Sequence, residues 1–316
     1  MARILVTGGA GFVGSNLVHA LLARGDEVVV LDNFSTGRRE NIAGVLDSIR
    51  LVEGSLADPV AVREALAGVS GVLHQGALPS VPKSLDLPLE TNEANVVGTL
   101  TLLEMCRQMG VERLVYAASS SAYGDHDAPV KTESLEPRPK SPYAVQKLAG
   151  EHYCSVYHSL FGLRTVALRY FNVFGPRQNP KSQYAAVVPA FITRMLRGES
   201  PVIFGDGEQS RDFTFIDNVI SANLLALETA AEDCGQVYNV GCGSSATLLD
   251  LVDGINDILG TDIRPIFEAE RAGDVRHSCA DVSNTKRATG YEPLVDVKQG
   301  LARSVDWYRA VKGGEA

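Results

Sequence analysis

The 316-residue chain lacks the features that would place it in a membrane, outside the cell or on a nucleic acid. No stretch approaches the roughly 18 consecutive apolar residues that a bilayer-crossing helix requires. Met1-Ala2-Arg3 runs directly into Ile4-Leu5-Val6 and then into glycines, without the pattern of a secretion signal. The five cysteines (Cys106, Cys154, Cys234, Cys242 and Cys279) are odd in number, scattered and without a CxxC pair, so they are expected to be reduced thiols of a cytoplasmic protein. The six histidines are equally dispersed, and no metal site is expected. Positive charge is in deficit. With 29 Lys and Arg against 38 Asp and Glu the net charge is −9, which disfavours nucleic acid except at a local basic pocket.

What is present is a globular composition, 45% hydrophobic and 21% charged, with neither internal repeats nor low-complexity segments. Residues 3–7, 28–31, 49–53, 72–74 and 114–118 form short runs rich in Val, Ile and Leu, bounded by turn residues. Between them, 12–24, 59–67 and 89–109 carry apolar residues at helical spacing. Strands without polar alternation belong to a sheet covered on both faces, which means parallel strands joined by crossover helices. Right-handed crossovers then predict an α/β fold with a doubly wound parallel sheet of the Rossmann type. After residue 170 the pattern changes: 175–184 reads as a loop, 205–209 as turn chemistry, 244–259 as a helix, and 271–281 as a polar segment without a period. Residues 237–240 look like a strand that returns to the first sheet, and 313–316 like a frayed tail.

Gly8-Gly9-Ala10-Gly11-Phe12-Val13-Gly14 follows a strand and opens a helix. Glycines at 8, 11 and 14 permit a tight turn, a close backbone approach to a pyrophosphate, and close helix–strand packing, with the helix N-terminus facing the phosphates. A glycine triplet alone is a weak signal, but here a second strand ends at Asp32. A carboxylate at that place binds a ribose diol and repels a 2′-phosphate, so NAD is expected over NADP, with Arg38 and Arg39 the residues that speak against it. On this basis residues 1–171, together with 212–243, are expected to bind NAD. Residues 172–211 and 244–316 are expected to form a smaller, interleaved C-terminal lobe for the substrate.

In Ser141-Pro142-Tyr143-Ala144-Val145-Gln146-Lys147, Ser141 is a good N-cap and Pro142 suits the first helical position. Tyr143 then lies in the opening turn with Lys147 on the same face. A phenol beside an ammonium at a helix N-terminus has reason to lose its proton more readily, and an oxidised nicotinamide would add to that. An isolated YxxxK is ordinarily a surface pair. This one is accompanied by Ser119-Ser120-Ser121 at the carboxyl end of the 114–118 strand, the edge where open α/β sheets bind ligands. A hydroxyl there can hydrogen-bond the oxygen that Tyr143 deprotonates.

The equally spaced glycines, the serines and YxxxK resemble the extended short-chain dehydrogenase/reductase family, and further segments narrow the resemblance to its nucleotide-sugar 4-epimerases. It implies Ser119, Tyr143 and Lys147 as the catalytic set. It also implies cofactor contacts at Gly8, Gly11, Phe12, Val13, Gly14, Asp32, Asn33, Ser35, Thr36, Gly37, Leu56, Gln75, Gly76, Ala77, Asn95, Tyr143, Lys147 and Tyr170. Ser55 stands where the family usually has an acid at the adenine, with Asp58 near. On the substrate side the resemblance implies Asn172, Gln178, Ala186 and Val187, Phe204 against uracil, Arg211 and Arg271 on the pyrophosphate, and Asp274 on the uridine ribose. Two guanidiniums suit a diphosphate.

The implied reaction is 4-epimerisation of a UDP-hexose through a transient 4-ketose, with no added redox partner. Relatives that dehydrate the sugar usually carry an Asp-Glu pair where this chain has Ser120-Ser121. Ser278 aligns with a position where some relatives have a bulky tyrosine that excludes a 2-acetamido group. With Pro79, Ser80, Asn172, Gln178 and Ala186 it resembles the pocket wall of relatives that accept N-acetylhexosamines, so UDP-N-acetylglucosamine is expected, and UDP-glucose as well. A rival is UDP-glucuronate 4-epimerisation or decarboxylation, with Lys83, Ser120 or Ser121 on the carboxylate. A rival of another class is a non-catalytic NAD-binding sensor or assembly subunit. The resemblance further implies a homodimer packed through helices 89–109 and 143–160.

Overall fold

The computed structural model describes residues 2–180, 186–270 and 276–313. Strands β1 (Arg3–Thr7), β2 (Glu27–Asp32), β3 (Ile49–Glu53), β4 (Gly71–His74), β5 (Arg113–Ser119), β6 (Arg164–Tyr170) and β7 (Gln236–Val240) form one sheet. They run β7-β6-β5-β4-β1-β2-β3 and every pairing is parallel. This is the expected doubly wound α/β fold, and its seventh strand is the 237–240 run that returns to the sheet. The order reverses between β1 and β4, which opens a crevice at their carboxyl ends.

Burial explains the unalternating strands. Ile4 and Val6 enter one apolar layer with Leu17, Leu21 and Val219, while Leu5 enters the other with Val62, Leu102, Leu103 and Cys154. Helices α1 (Phe12–Arg24) and Ile216–Ala226 cover the first face. Helices Pro59–Ala65, Gly98–Met109 and α2 (Pro142–Phe161) cover the second. Glycines in the left-handed conformation, Gly25 and Gly162, end α1 and α2.

Two helices depart from expectation. Residues 89–109 do not form one regular helix: Pro88–Asn92 and Gly98–Met109 flank a π-helical turn at Glu93–Val97. There the Asn95 amide leaves the helix to bond the backbone of Leu78 and the Gln146 side chain, and Thr99 Oγ1 donates to the Asn95 carbonyl at 2.7 Å. The helix expected over 244–259 starts later, as Leu248–Leu259, behind a Thr247–Asp250 capping box. Its first residues instead enter a small sheet, in which Ala246–Thr247, Ser210–Arg211, His277–Ala280 and Val130–Lys131 lie side by side. The aperiodic 271–281 segment thus contains a strand, His277–Ala280, whose short pairings leave no alternation to read. Among the described residues no helix is long and apolar enough to cross a membrane, and no group of three His, Cys, Asp or Glu is gathered for a metal. The cysteines are free thiols.

Candidate active site

A cleft of roughly 1320 Å³ opens at the β1–β4 switch point and extends along the carboxyl ends of the strands. That exceeds an ordinary small-ligand pocket of about 300–1000 Å³ and leaves room for a dinucleotide and a second molecule.

At one end the backbone itself forms the wall. Gly8 has φ +65° and sits against Gly76, and a side chain on Gly14 would place its Cβ 2.1 Å from the Gly8 carbonyl oxygen. Helix α1 opens at Gly11, with neither a capping side chain nor an acid in its first turn, which suits an anion. Asp32 is buried. Its carboxylate accepts from the Ala10 and Phe34 amides at 2.8 Å each, and burial raises its pKa. A Cβ on Gly37 would lie 2.8 Å from that carboxylate, so Gly37 leaves the approach to it clear. Arg39 is held by Glu53 at 2.5 Å and stacks on Phe34 at 4.0 Å, and Arg38 pairs with Glu40 at 3.4 Å. Both guanidiniums thus have acidic partners of their own, while the buried Asp32 carboxylate disfavours a 2′-phosphate. These residues fit a dinucleotide with an unphosphorylated ribose.

Phe12, Val13, Asn33, Ser35, Thr36, Leu56, Gln75, Ala77 and Tyr170 also line the cleft. Asn95 does not: it is buried beneath the Leu78 turn and acts through that backbone. Its hydrogen bonds to Leu78 make it a support of the turn that lines the cleft. Tyr170 and Gln75 are oriented by Asn223, whose amide exchanges hydrogen bonds with the Tyr170 hydroxyl at 2.8 and 3.0 Å and accepts from Gln75 Nε2 at 3.1 Å. Asn223 was not legible in the sequence. Asp217, Asn218 and Ser221 on the same Ile216–Ala226 helix are equally polar, and the partners that distinguish Asn223 lie 53 and 148 residues away.

The middle of the cleft gathers the hydroxyls. Ser141 caps α2 by accepting from the Ala144 amide at 3.2 Å, with Pro142 in the first turn. Tyr143 follows, its amide donating to Ser84 Oγ at 3.1 Å. Ser84 was missed because its polarity in the short Val81–Asp86 helix gives no hint of a partner on α2. Ser119 lies close enough to the Tyr143 hydroxyl to act on its pKa, and its Oγ accepts from Ser121 Oγ at 2.9 Å. Burial pushes the Tyr143 phenol up to about 12, with the Ser119 hydroxyl pulling it down only in part. This differs from the expected acidification by Lys147. That ammonium is spent elsewhere: it donates to the Ala117 carbonyl at 2.7 Å, lies 5.0 Å from the Tyr116 ring centre, and is itself lowered to about 8 by burial.

At the far end the small sheet pairs Arg211 with Ser278 in register, and both line the cleft with Ser80, Ser120, Ser121, Asn172 and Gln178. Buried Asp212 ties this sheet together, accepting from the Cys242, Gly243 and Ala280 amides at 2.7, 3.0 and 3.2 Å. Asn172 Nδ2 donates to the Asp212 carbonyl at 3.1 Å. Gln178 donates to the Val173 carbonyl, while its Oε1 is buried without a partner among the described residues. Ser80 also caps the Val81–Asp86 helix, and Lys83 pairs with Glu90 at 3.0 Å. Phe204, Ala186 and Val187 are not brought to this cleft: Phe204 ends a strand paired with Ile266–Glu268, and the other two stand at the start of Val187–Met195. Arg271 and Asp274 lie outside the described residues.

The model of the NAD dependent epimerase/dehydratase family matches residues 4–241. The chain belongs to that family. It is similar to the UDP-glucose 4-epimerase of Thermotoga maritima solved with UDP-glucose, at 37% identity over 98% of this chain and 99% of that one, with a TM-score of 0.93. The UDP-N-acetylglucosamine 4-epimerase of Methanobrevibacter ruminantium, solved with UDP-N-acetylmuramic acid, is 39% identical over 98% and 99% of the two chains, also with a TM-score of 0.93. The UDP-glucuronic acid 4-epimerase of Bacillus cereus, solved with UDP-glucuronic acid and NAD, is 34% identical over 98% and 99%, with a TM-score of 0.90. The cofactor of this family member is NAD, for which the Gly8–Gly14 turn and Asp32 are shaped.

Proposed function

We propose that this NAD-dependent UDP-sugar 4-epimerase interconverts UDP-N-acetylglucosamine and UDP-N-acetylgalactosamine, and acts on UDP-glucose as well. Similarity of fold does not choose the sugar, since three sugar types occur among solved relatives of nearly equal likeness. The observation that carries the choice is Ser278. It faces the cleft as the register partner of Arg211, so the wall beside the diphosphate anchor is a small side chain that leaves room for a 2-acetamido group.

In this reading Tyr143 takes the proton of the sugar 4-hydroxyl, and the nearby Ser119 hydroxyl donates a hydrogen bond to that oxygen. NAD, held at the Gly8–Gly14 turn and Asp32, would supply the reversible hydride acceptor for C4 and a positive ring charge that favours a phenolate at Tyr143. Bringing a phenol from about 12 to near 7 takes about 7 kcal/mol of differential stabilisation beyond what Ser119 already contributes. Lys147 fixes the floor of the site through Ala117 and keeps a cation beneath it. Arg211 anchors the diphosphate. The orphaned Gln178 Oε1 is an acceptor for a sugar hydroxyl.

Ser120, Ser121 and the Lys83 ammonium also line the cleft, which is why UDP-glucuronate stays the second reading. The test is proton NMR of the purified protein with each of the three UDP-sugars and no added NAD. New anomeric signals of the galacto epimer from UDP-N-acetylglucosamine are expected; turnover of UDP-glucuronate alone would overturn the assignment. Silence with all three, with NAD on the protein, would leave the non-catalytic alternative. The same reading takes the protein as a homodimer through the helices spanning 88–109 and α2, whose outer faces expose Leu89, Val97, Val145, Val156 and Leu160. Light scattering should give about twice the 33.8 kDa chain mass, and an active monomer would remove the dimer from this account.

A further inference from the structure

Arg177 stands at the junction of the two ends of the cleft. It lines the cleft, yet among the described residues no carboxylate forms an ion pair with it. Its backbone is held in the left-handed region at φ +69°, an uncommon place for an arginine and a cost that persists only where the surroundings enforce it. Asn16 enforces it. The Asn16 Oδ1 accepts from Arg177 Nη1 at 2.7 Å, while Asn16 Nδ2 donates to the Pro176 carbonyl at 3.1 Å and to the Phe12 carbonyl at 2.9 Å. One side chain on α1 therefore fastens the guanidinium to the helix turn that begins at the Gly11–Gly14 cradle. The charge is felt there as well: burial, with the Arg177 charge adding to it, lowers the pKa of His19 on the same helix. Half-buried and without an acid, Arg177 itself is lowered by burial.

A helix N-terminus supplies only about half an elementary charge. A dinucleotide diphosphate brings two negative charges into a chain that is already at −9. A guanidinium with one donor fixed by Asn16 and the rest of its fork free of carboxylates suits the missing counter-charge. We propose that Arg177 is a direct contact to the diphosphate of bound NAD, held in place by Asn16, and that it joins the cofactor cradle to the 172–180 segment carrying Asn172 and Gln178.

The test compares a charged with a neutral fragment on the full chain after NAD has been removed. ADP-ribose carries the diphosphate; adenosine does not. In Arg177→Gln, ADP-ribose binding by calorimetry should weaken about tenfold or more, the scale of one hydrogen bond to a charged group. Adenosine binding should be unchanged, and NAD should leave the purified holoprotein faster on dialysis. The wild-type salt dependence of ADP-ribose binding should shrink in the variant. Equal ADP-ribose affinity in the two proteins would overturn the proposal, as would a parallel loss of adenosine, which marks a mere staple between loop and helix. Should Arg177→Gln not fold, Arg177→Lys decides the matter: the point charge cannot fork, so the ratio of ADP-ribose to adenosine affinity should fall part-way, and an unchanged ratio would overturn the assignment.

Discussion

Acid should expose the cost of keeping His74 neutral. This residue ends β4 directly beneath the cofactor turn, with Nδ1 hydrogen-bonded to Thr7 Oγ1 at 2.7 Å and Nε2 to Thr99 Oγ1 at 2.9 Å. Thr7 in turn accepts from the Gly76 amide at 3.1 Å. Burial, with the Lys147 charge adding to it, lowers the imidazole from 6.5 to about 3. Below pH 6.5 the unfolded chain takes up a proton that the folded chain refuses. The unfolded state then binds more protons, and stability falls as pH falls from 6.5 towards 3; above 6.5 the contribution is fully present. The full extent is about 5 kcal/mol, and about 2 kcal/mol of it is lost by pH 5, a large share of a typical margin of about 5–15 kcal/mol. Other groups run the other way. Asp212, raised to about 6 by burial, holds a proton when folded that it gives up when unfolded, so its contribution grows as pH falls through 6. A difference between two proteins isolates the histidine. His74→Asn keeps a donor and an acceptor between the two threonines and does not titrate. Urea unfolding of wild type and variant, both saturated with NAD, should show the wild-type advantage at pH 7 shrinking by about 2 kcal/mol at pH 5. Parallel stability curves would refute the reasoning, because they would mean that His74 is not held neutral in the folded state.

Two further outcomes test the chemistry. Tyr143→Phe should fold and retain NAD while turning over at least ~100-fold more slowly, the usual scale for an acid–base group; near-normal turnover would remove Tyr143 from the proton transfer. Ser278→Tyr should depress kcat/KM for UDP-N-acetylglucosamine by about 10–200-fold relative to UDP-glucose, the range for a pocket that gains or loses room. An unchanged ratio would show that Ser278 does not face the C2 substituent.

Legibility followed the distance over which each signal acts. Gly8, Gly14 and Asp32 could be read because turn, helix start and strand end are adjacent in the chain, and the doubly wound sheet could be read because each strand carries its own apolar run. The YxxxK helix announced itself through Ser141 and Pro142. The break in 89–109 could not be read, since Asn95 leaves its helix for partners at 78 and 146. Asn223, Ser84 and Arg177 escaped for the same reason: each is a polar residue whose meaning lies in a partner from 53 to 161 residues away. The start of the 248 helix was a different case. Thr247 and Asp250 are a local capping signal that was available, but Ser244 offered an equally good cap.

The lowered Lys147 and the raised Tyr143 bear on why such a site depends on its cofactor. If the ammonium had pointed at the phenol, the tyrosine could ionise at any time, and a phenolate would stand in the cleft without a hydride acceptor beside it. Instead Lys147 is bound to the Ala117 carbonyl on β5 and the phenol is held neutral by burial. In the proposed reading, proton loss at Tyr143 would be favoured by the positive charge that an oxidised nicotinamide would supply, which would tie deprotonation of the sugar to the presence of a hydride acceptor. The substrate end stands on a separate framework. Arg211 and Ser278 sit on strands paired through two residues in a small sheet that the buried Asp212 carboxylate ties together, apart from the seven-stranded sheet under Ser119. In the proposed reading this division would let the nucleotide anchor and the seat of the proton transfer be held independently while the ketose turns over between them.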